Sequence, residues 1–191
     1  MVRPLNTAAL ARATGMGWED IVAVLEAAGG SRLDHGQLVA VAAAAFAGRV
    51  DNPGWWAQAA ALGFEQRIGR RLPGQRADGT FSATASRTVA LDRAAAYERV
   101  VGHLGAHPGT IAGHPLSGPP RTSRTAQRSF WRADLERGER IELGVAAAAP
   151  LAASPQAARA LVTAGAEKVP DPAAAEAWRA DLRALLAGIF G

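Results

Sequence analysis

Cysteine is missing from all 191 residues. That removes disulfides, thiol nucleophiles and thiolate metal ligands together. Lysine is nearly missing as well: Lys168 is the single one, so arginine carries the rest of the 21 cations. No uncharged apolar run reaches the roughly 18 residues that a membrane-spanning helix needs. The opening segment, MVRPLNTAALARATGMGWED, has no long apolar core, so no secretory signal is expected and a soluble, cytoplasmic protein is. An excess of one charge sign is also nearly lacking. The 21 cations and 17 acids leave a net +4, which favours anionic partners only where it is clustered. What is present is ordinary for a globular chain, with 49% hydrophobic and 20% charged residues. The length suits one domain or two small ones.

The first seventy residues read as helices. Asn6 and Thr7 are good caps for a short helix that Gly15 ends. Trp18, Ile21, Val22, Leu25 and Ala28 follow helical spacing, and Gly29-Gly30 closes that stretch. A third helix is expected over about 34–46. A fourth begins at Asn52-Pro53, a cap followed by proline at the first helical position. The stretch 70–79 reads as a linker, with Pro73-Gly74 and Asp78-Gly79 as turn pairs. After it the period changes to two. In 81–89, Ser82, Thr84, Ser86 and Thr88 alternate with mainly apolar neighbours, as in a strand with one polar face. A helix is expected over 91–104 and a Gly/Pro/His loop over 105–120. Strands follow over 122–134, 139–148 and 158–168, the first two joined at Arg137-Gly138. Pro150 is expected to close the Ala-rich stretch before it. Asp171-Pro172 opens a long last helix. Helices first and mainly antiparallel strands afterwards make the fold class α+β.

The run GWWAQAAALGFEQRIGRRLPGQRADGTFSATASRTV (54–89) resembles the junction of a bacterial family. There a small helical domain of unknown function precedes a START-like helix-grip domain. The likeness rests on Trp55-Trp56, Gln58, Glu65-Gln66 and the Gly74-Gln75-Arg76…Asp78-Gly79-Thr80-Phe81 run. The stretches 14–29 and 167–186 are similar to the same family's opening helices and to its last strand and helix. The superfamily includes polyketide cyclases and activators of the Hsp90 ATPase. The resemblance implies a helical domain over 1–72, a linker over 73–80 and a helix-grip domain over 81–191, in which a curved antiparallel sheet grips a long C-terminal helix. Only four or five strands are readable, so the sheet is expected to be reduced. Such domains commonly enclose an apolar cavity between sheet and helix.

The leading expectation is therefore non-catalytic binding of a small apolar ligand between the sheet and the 172–190 helix. Its lining is expected to come from Phe81, Tyr97, Trp131, Leu143, Trp178 and Leu182. Strand parity puts Phe130 and Trp131 on opposite faces, so only one can belong there. A second expectation is a protein-interaction or homodimerisation module anchored on the groove or on an exposed tryptophan. The third is nucleic-acid or other anion binding by Arg121, Arg124, Arg128 and Arg132, in a stretch from 99 to 133 that has no acidic residue. Against it stands the commoner arrangement of cross-strand ion pairs with Glu136, Glu139 and Glu142. One of Trp55 and Trp56 is expected in the core and the other at the domain interface, with Trp55 among the core candidates. No catalytic residue, metal or cofactor is expected. His103 and His107 have a bridging spacing, but Gly105 and Pro108 spoil the helix register and no carboxylate completes a set.

Overall fold

A computed structural model describes residues 5–149 and 157–191. Pro150, expected to end the Ala-rich stretch, lies outside the described residues. The chain divides into two compact units, one running to Gln75 and the other from Arg76.

The first unit is helical: α1 (Thr7–Thr14), α2 (Trp18–Ala27), α3 (His35–Phe46) and α4 (Pro53–Arg67), with a short 3-10 turn at Gly30–Arg32. Side-chain caps set three of the four starts. Asn6 accepts from the Ala9 amide, and Asn52 accepts from the Trp55 amide ahead of Pro53. Asp34 and Gln37 cap α3 reciprocally, each side chain taking the other's backbone N–H. Leu10, Ile21, Leu25, Leu38, Phe46 and Phe64 pack the centre. A glycine inside a helix costs about 1 kcal/mol relative to alanine, yet α4 carries Gly63. A Cβ there would lie 2.2 Å from Leu5 Cδ2 and 2.9 Å from Trp18 Cη2, so close packing dictates the glycine.

Trp55 is not in the core: it is 60% exposed. The buried residues of α4 include Ala57, Ala60, Ala61 and Phe64, at helical spacing. Trp56 is one turn before Ala60 and is half-buried, whereas Trp55 projects away from that stripe.

The second unit runs β1 (Phe81–Val89), α5 (Arg93–Gly105), β2 (Thr110–Ile111), β3 (His114–Pro115), β4 (Arg121–Arg124), β5 (Arg128–Asp134), β6 (Arg140–Ala147), β7 (Ala160–Val169) and α6 (Pro172–Phe190). The five longer strands form one antiparallel sheet in the order β1-β7-β6-β5-β4, and β2 pairs with β3 separately. The described chain is thus α+β. The run expected over 122–134 is two strands, which makes five of the expected four or five. Thr125 Oγ1 accepts from the Gln127 and Arg128 amides, folding the chain into a tight hairpin there. The loop expected over 105–120 contains the small β2–β3 ribbon.

Burial alternates along β1, β5, β6 and β7, as period two requires. One face is covered by α5 and α6, with α6 lying against β1 and β7. The other face carries the polar alternates. Near the end of β7 the register shifts against β1, and Lys168 adopts φ of +58°. Two residues of β7, Glu167 and Lys168, thereby oppose one of β1, Ser82, a bulge that tightens the local twist.

Candidate binding sites

The six residues expected to line an apolar groove do converge, but on one another. Phe81, Tyr97, Trp131, Leu143, Trp178 and Leu182 are each at most 5% exposed and belong to one apolar cluster between the sheet and the two helices. The space expected to be a groove is filled by the side chains expected to line it. Tyr97 satisfies its hydroxyl by donating to the Phe130 carbonyl at 2.9 Å, as a buried phenol must. Trp131 faces inward, and Phe130 stands half-buried on the opposite side.

The four arginines of the expected anion strip do not share a face. Arg121 and Arg132 are direct cross-strand partners, and Arg128 lies on their side of β5. Arg124 is an odd number of residues from Arg121 and points to the helix side. There it pairs with Glu98 at 2.6 Å and lies over the Tyr97 ring. The ion pairs differ from those expected as well. Glu142 pairs with Arg132, but Glu139 is 3% exposed and its Oε2 has no partner among the described residues. Asp134 takes the place expected of the other glutamates.

The open face carries a groove of about 500 Å³. Its floor is one row across the sheet, from Arg121 to Arg132, Glu142, Gly165 and Thr84, each the register partner of the next. Gly165 leaves that row without a side chain at its centre. Ser82 and Thr163 add hydroxyls, and Arg76 and Arg140 stand at the margin. Arg132 is held by Glu142 at 2.6 Å and Ser123 at 2.9 Å, with its guanidinium over the Phe130 ring. Asp134 accepts from both Arg121 (2.7 Å) and Arg140 (3.1 Å). These two guanidiniums hold its carboxyl below the ordinary aspartate range. At the other end Arg76 donates to Glu167 at 3.0 Å, and that bond raises the arginine further above its usual range. Thr80 donates to Asp78 through both its hydroxyl and its amide, which lowers the Asp78 carboxyl.

The helical unit holds a second constellation, one that sequence reasoning missed. Glu65 is 3% exposed, and its Oε2 lies 3.0 Å from Arg71 Nε and 3.1 Å from His35 Nδ1. The other His35 nitrogen is 2.9 Å from the Gln58 amide oxygen. Arg70 approaches Glu65 Oε1 at 3.8 Å, while its own donors go to the carbonyls of Leu33 and Ser31. These groups are adjacent to an open pocket of about 270 Å³ formed by His35, Trp55, Gln58, Ala59, Leu62 and Arg71. Gln58 and Glu65 stand out in the junction motif, but nothing in their spacing announces His35, which comes from another helix.

Comparison with protein-family models, curated proteins and solved structures finds no significant match to this chain.

Proposed function

We propose that the protein is a non-catalytic binding protein. In this reading residues 76–191 are a reduced helix-grip unit of the START-like kind, and the open face of its sheet receives a small, polar, anionic ligand. A C-terminal helix lying on a five-stranded antiparallel sheet supports the fold assignment. The core on the helix side is filled by side chains, which supports a site on the opposite face and a polar rather than an apolar ligand.

One observation carries the reading. Arg121 and Arg132 stand directly opposite each other on neighbouring strands. Like charges in that position oppose pairing by roughly 0.2–1 kcal/mol. Breaches of a local rule of this kind concentrate at functional sites. The groove's cations, Arg76, Arg121, Arg132 and Arg140, face three carboxylates, Asp134, Glu142 and Glu167, so one positive charge is left over. An anionic head beside Arg121 and Arg132 would use that surplus. Ser82, Thr84 and Thr163 would hydrogen-bond a hydroxylated body over Gly165. The carboxylates set along the groove repel a long polyanion, which favours a small ligand over nucleic acid. No histidine lines the groove and each of its carboxylates is in an ion pair, which favours binding over acid–base chemistry.

The test is an amide chemical-shift titration of the whole chain with citrate, with inorganic phosphate, and with a short DNA duplex. Saturable shifts at Thr84, Arg132 and Thr163 with either small anion are expected. Gly165→Val should abolish them, because a β-branched side chain would fill the groove where an added Cβ meets nothing closer than the Ala83 carbonyl at 3.7 Å. Absence of saturation with both small anions would reject the reading. So would shifts that persist unchanged in Gly165→Val, or tight binding of the duplex alone.

A further inference from the structure

The helical unit contains a pocket whose charge and shape come from separate residues. Glu65 is the organising group. One buried carboxylate faces two guanidiniums, Arg70 at 3.8 Å and Arg71 at 3.0 Å. The local sum of these three groups is +1. Arg70 spends its donors on the carbonyls that follow α2. Arg71 is bound through Nε alone among the described residues, so its two terminal nitrogens keep their donors beside the pocket. The surplus charge is therefore presented by Arg71.

His35 is held at both ring nitrogens, by Glu65 at 3.1 Å and by Gln58 at 2.9 Å. A carboxylate behind an imidazole would suit catalysis if the far nitrogen faced a nucleophile. Here it faces an amide, and no serine or threonine lines the pocket. The chain Glu65–His35–Gln58 thus works as a brace. It fixes the Gln58 amide, whose nitrogen has no partner among the described residues, as a donor next to Arg71.

Trp55 supplies the apolar wall. Its ring meets Trp56 edge-on, with centroids 4.5 Å apart and planes at 89°. That contact braces one side of an indole that is otherwise 60% exposed, and bracing of this kind lowers the entropy cost of binding. Ala59 and Leu62 continue the apolar surface. An engineered cavity of about 150 Å³ in another protein accommodates benzene, so about 270 Å³ has room for one ring and a small substituent.

We infer that this pocket binds a small aromatic carboxylate, its ring against Trp55 and its carboxylate on Arg71 and Gln58. The Arg71 fork matches a carboxylate in geometry as well as charge. This site is separate from the sheet groove, and neither reading depends on the other.

The probe is benzoate, titrated into the whole chain and followed by the indole N–H signal of Trp55 and the side-chain amide signals of Gln58. Benzyl alcohol is the neutral control. Saturable shifts with benzoate are expected, at least about tenfold weaker with benzyl alcohol, since loss of a charge-assisted bidentate contact is worth about that factor. Trp55→Ala should weaken benzoate binding by about fivefold or more; its ring is mostly in solvent, so the fold survives. Arg71→Gln should abolish binding. Because that change also strips a partner from buried Glu65, Arg71→Lys is run beside it and should retain the charge but bind more weakly than the wild type. Benzoate shifts that never saturate would overturn the inference. Equal binding of benzoate and benzyl alcohol, or no effect of Trp55→Ala, would overturn it too.

Discussion

Leu182→Ala separates a packed core from a ligand groove. Leu182 is fully buried on α6, in the cluster that includes Phe81, Trp131, Leu143 and Trp178. The substitution deletes three carbons. At about 0.8 kcal/mol each, the transfer term is roughly 2.4 kcal/mol. An unrelaxed cavity adds to it, and measured Leu→Ala changes in cores fall at about 2–5 kcal/mol. We expect a loss of about 3 kcal/mol, and a melting temperature for this unit lower by roughly 12 °C. The chain has two units, so a single global transition is a poor readout. Amide hydrogen exchange read at β1 and β7, the strands under α6, reports this unit alone. There 3 kcal/mol appears as exchange on the order of a hundredfold faster. In an apolar groove open to solvent, Leu182 would already be partly hydrated, and its truncation would cost below about 1 kcal/mol. A loss that small would refute the filled core and return the apolar-ligand expectation to the helix side of the sheet.

Two further outcomes follow from particular residues. The Asp134 carboxyl, held down by Arg121 and Arg140, should titrate below its ordinary value of 3.8 in a carbon-detected NMR titration. Its folded value is depressed, so its stabilisation is present above the unfolded value and is lost as pH falls through the folded one. Arg121→Gln should raise the midpoint, and added salt should shrink the difference; an unmoved midpoint would reject Arg121 as its cause. Lys168 holds a left-handed backbone at the β7 bulge, which costs a side-chain-bearing residue about 1 kcal/mol or more. Lys168→Gly should therefore leave stability unchanged or raise it by up to about 1 kcal/mol in urea unfolding. A clear loss would show that the lysine side chain stabilises the bulge.

Local signals in the chain determined most of the secondary structure. Asn6, Asn52-Pro53 and Asp171-Pro172 mark helix starts because a cap and its proline act within one turn. Alternation over 81–89 marks β1 because adjacent side chains of a strand must point to opposite faces. The burial of Phe81, Tyr97, Trp131, Leu143, Trp178 and Leu182 was also legible from hydrophobicity and period. Whether those six would line a space or fill it was not, because that depends on how closely α5 and α6 approach the sheet. Whether 121–125 and 129–134 are one strand or two stayed open in the sequence, because a single threonine hydroxyl satisfies the turn, with no glycine or proline to announce it.

The charged sites were decided by tertiary structure alone. Parity foretells that Arg121 and Arg124 part company. Only the strand register, however, puts Arg121 opposite Arg132 and aligns both with Glu142, Gly165 and Thr84. His35 and Glu65 are 30 residues apart and meet because α3 packs on α4. Hydrophobic period and caps are local properties that a chain carries wherever it goes. Charge partnerships and pockets are properties of distance in space, which only the packed chain defines.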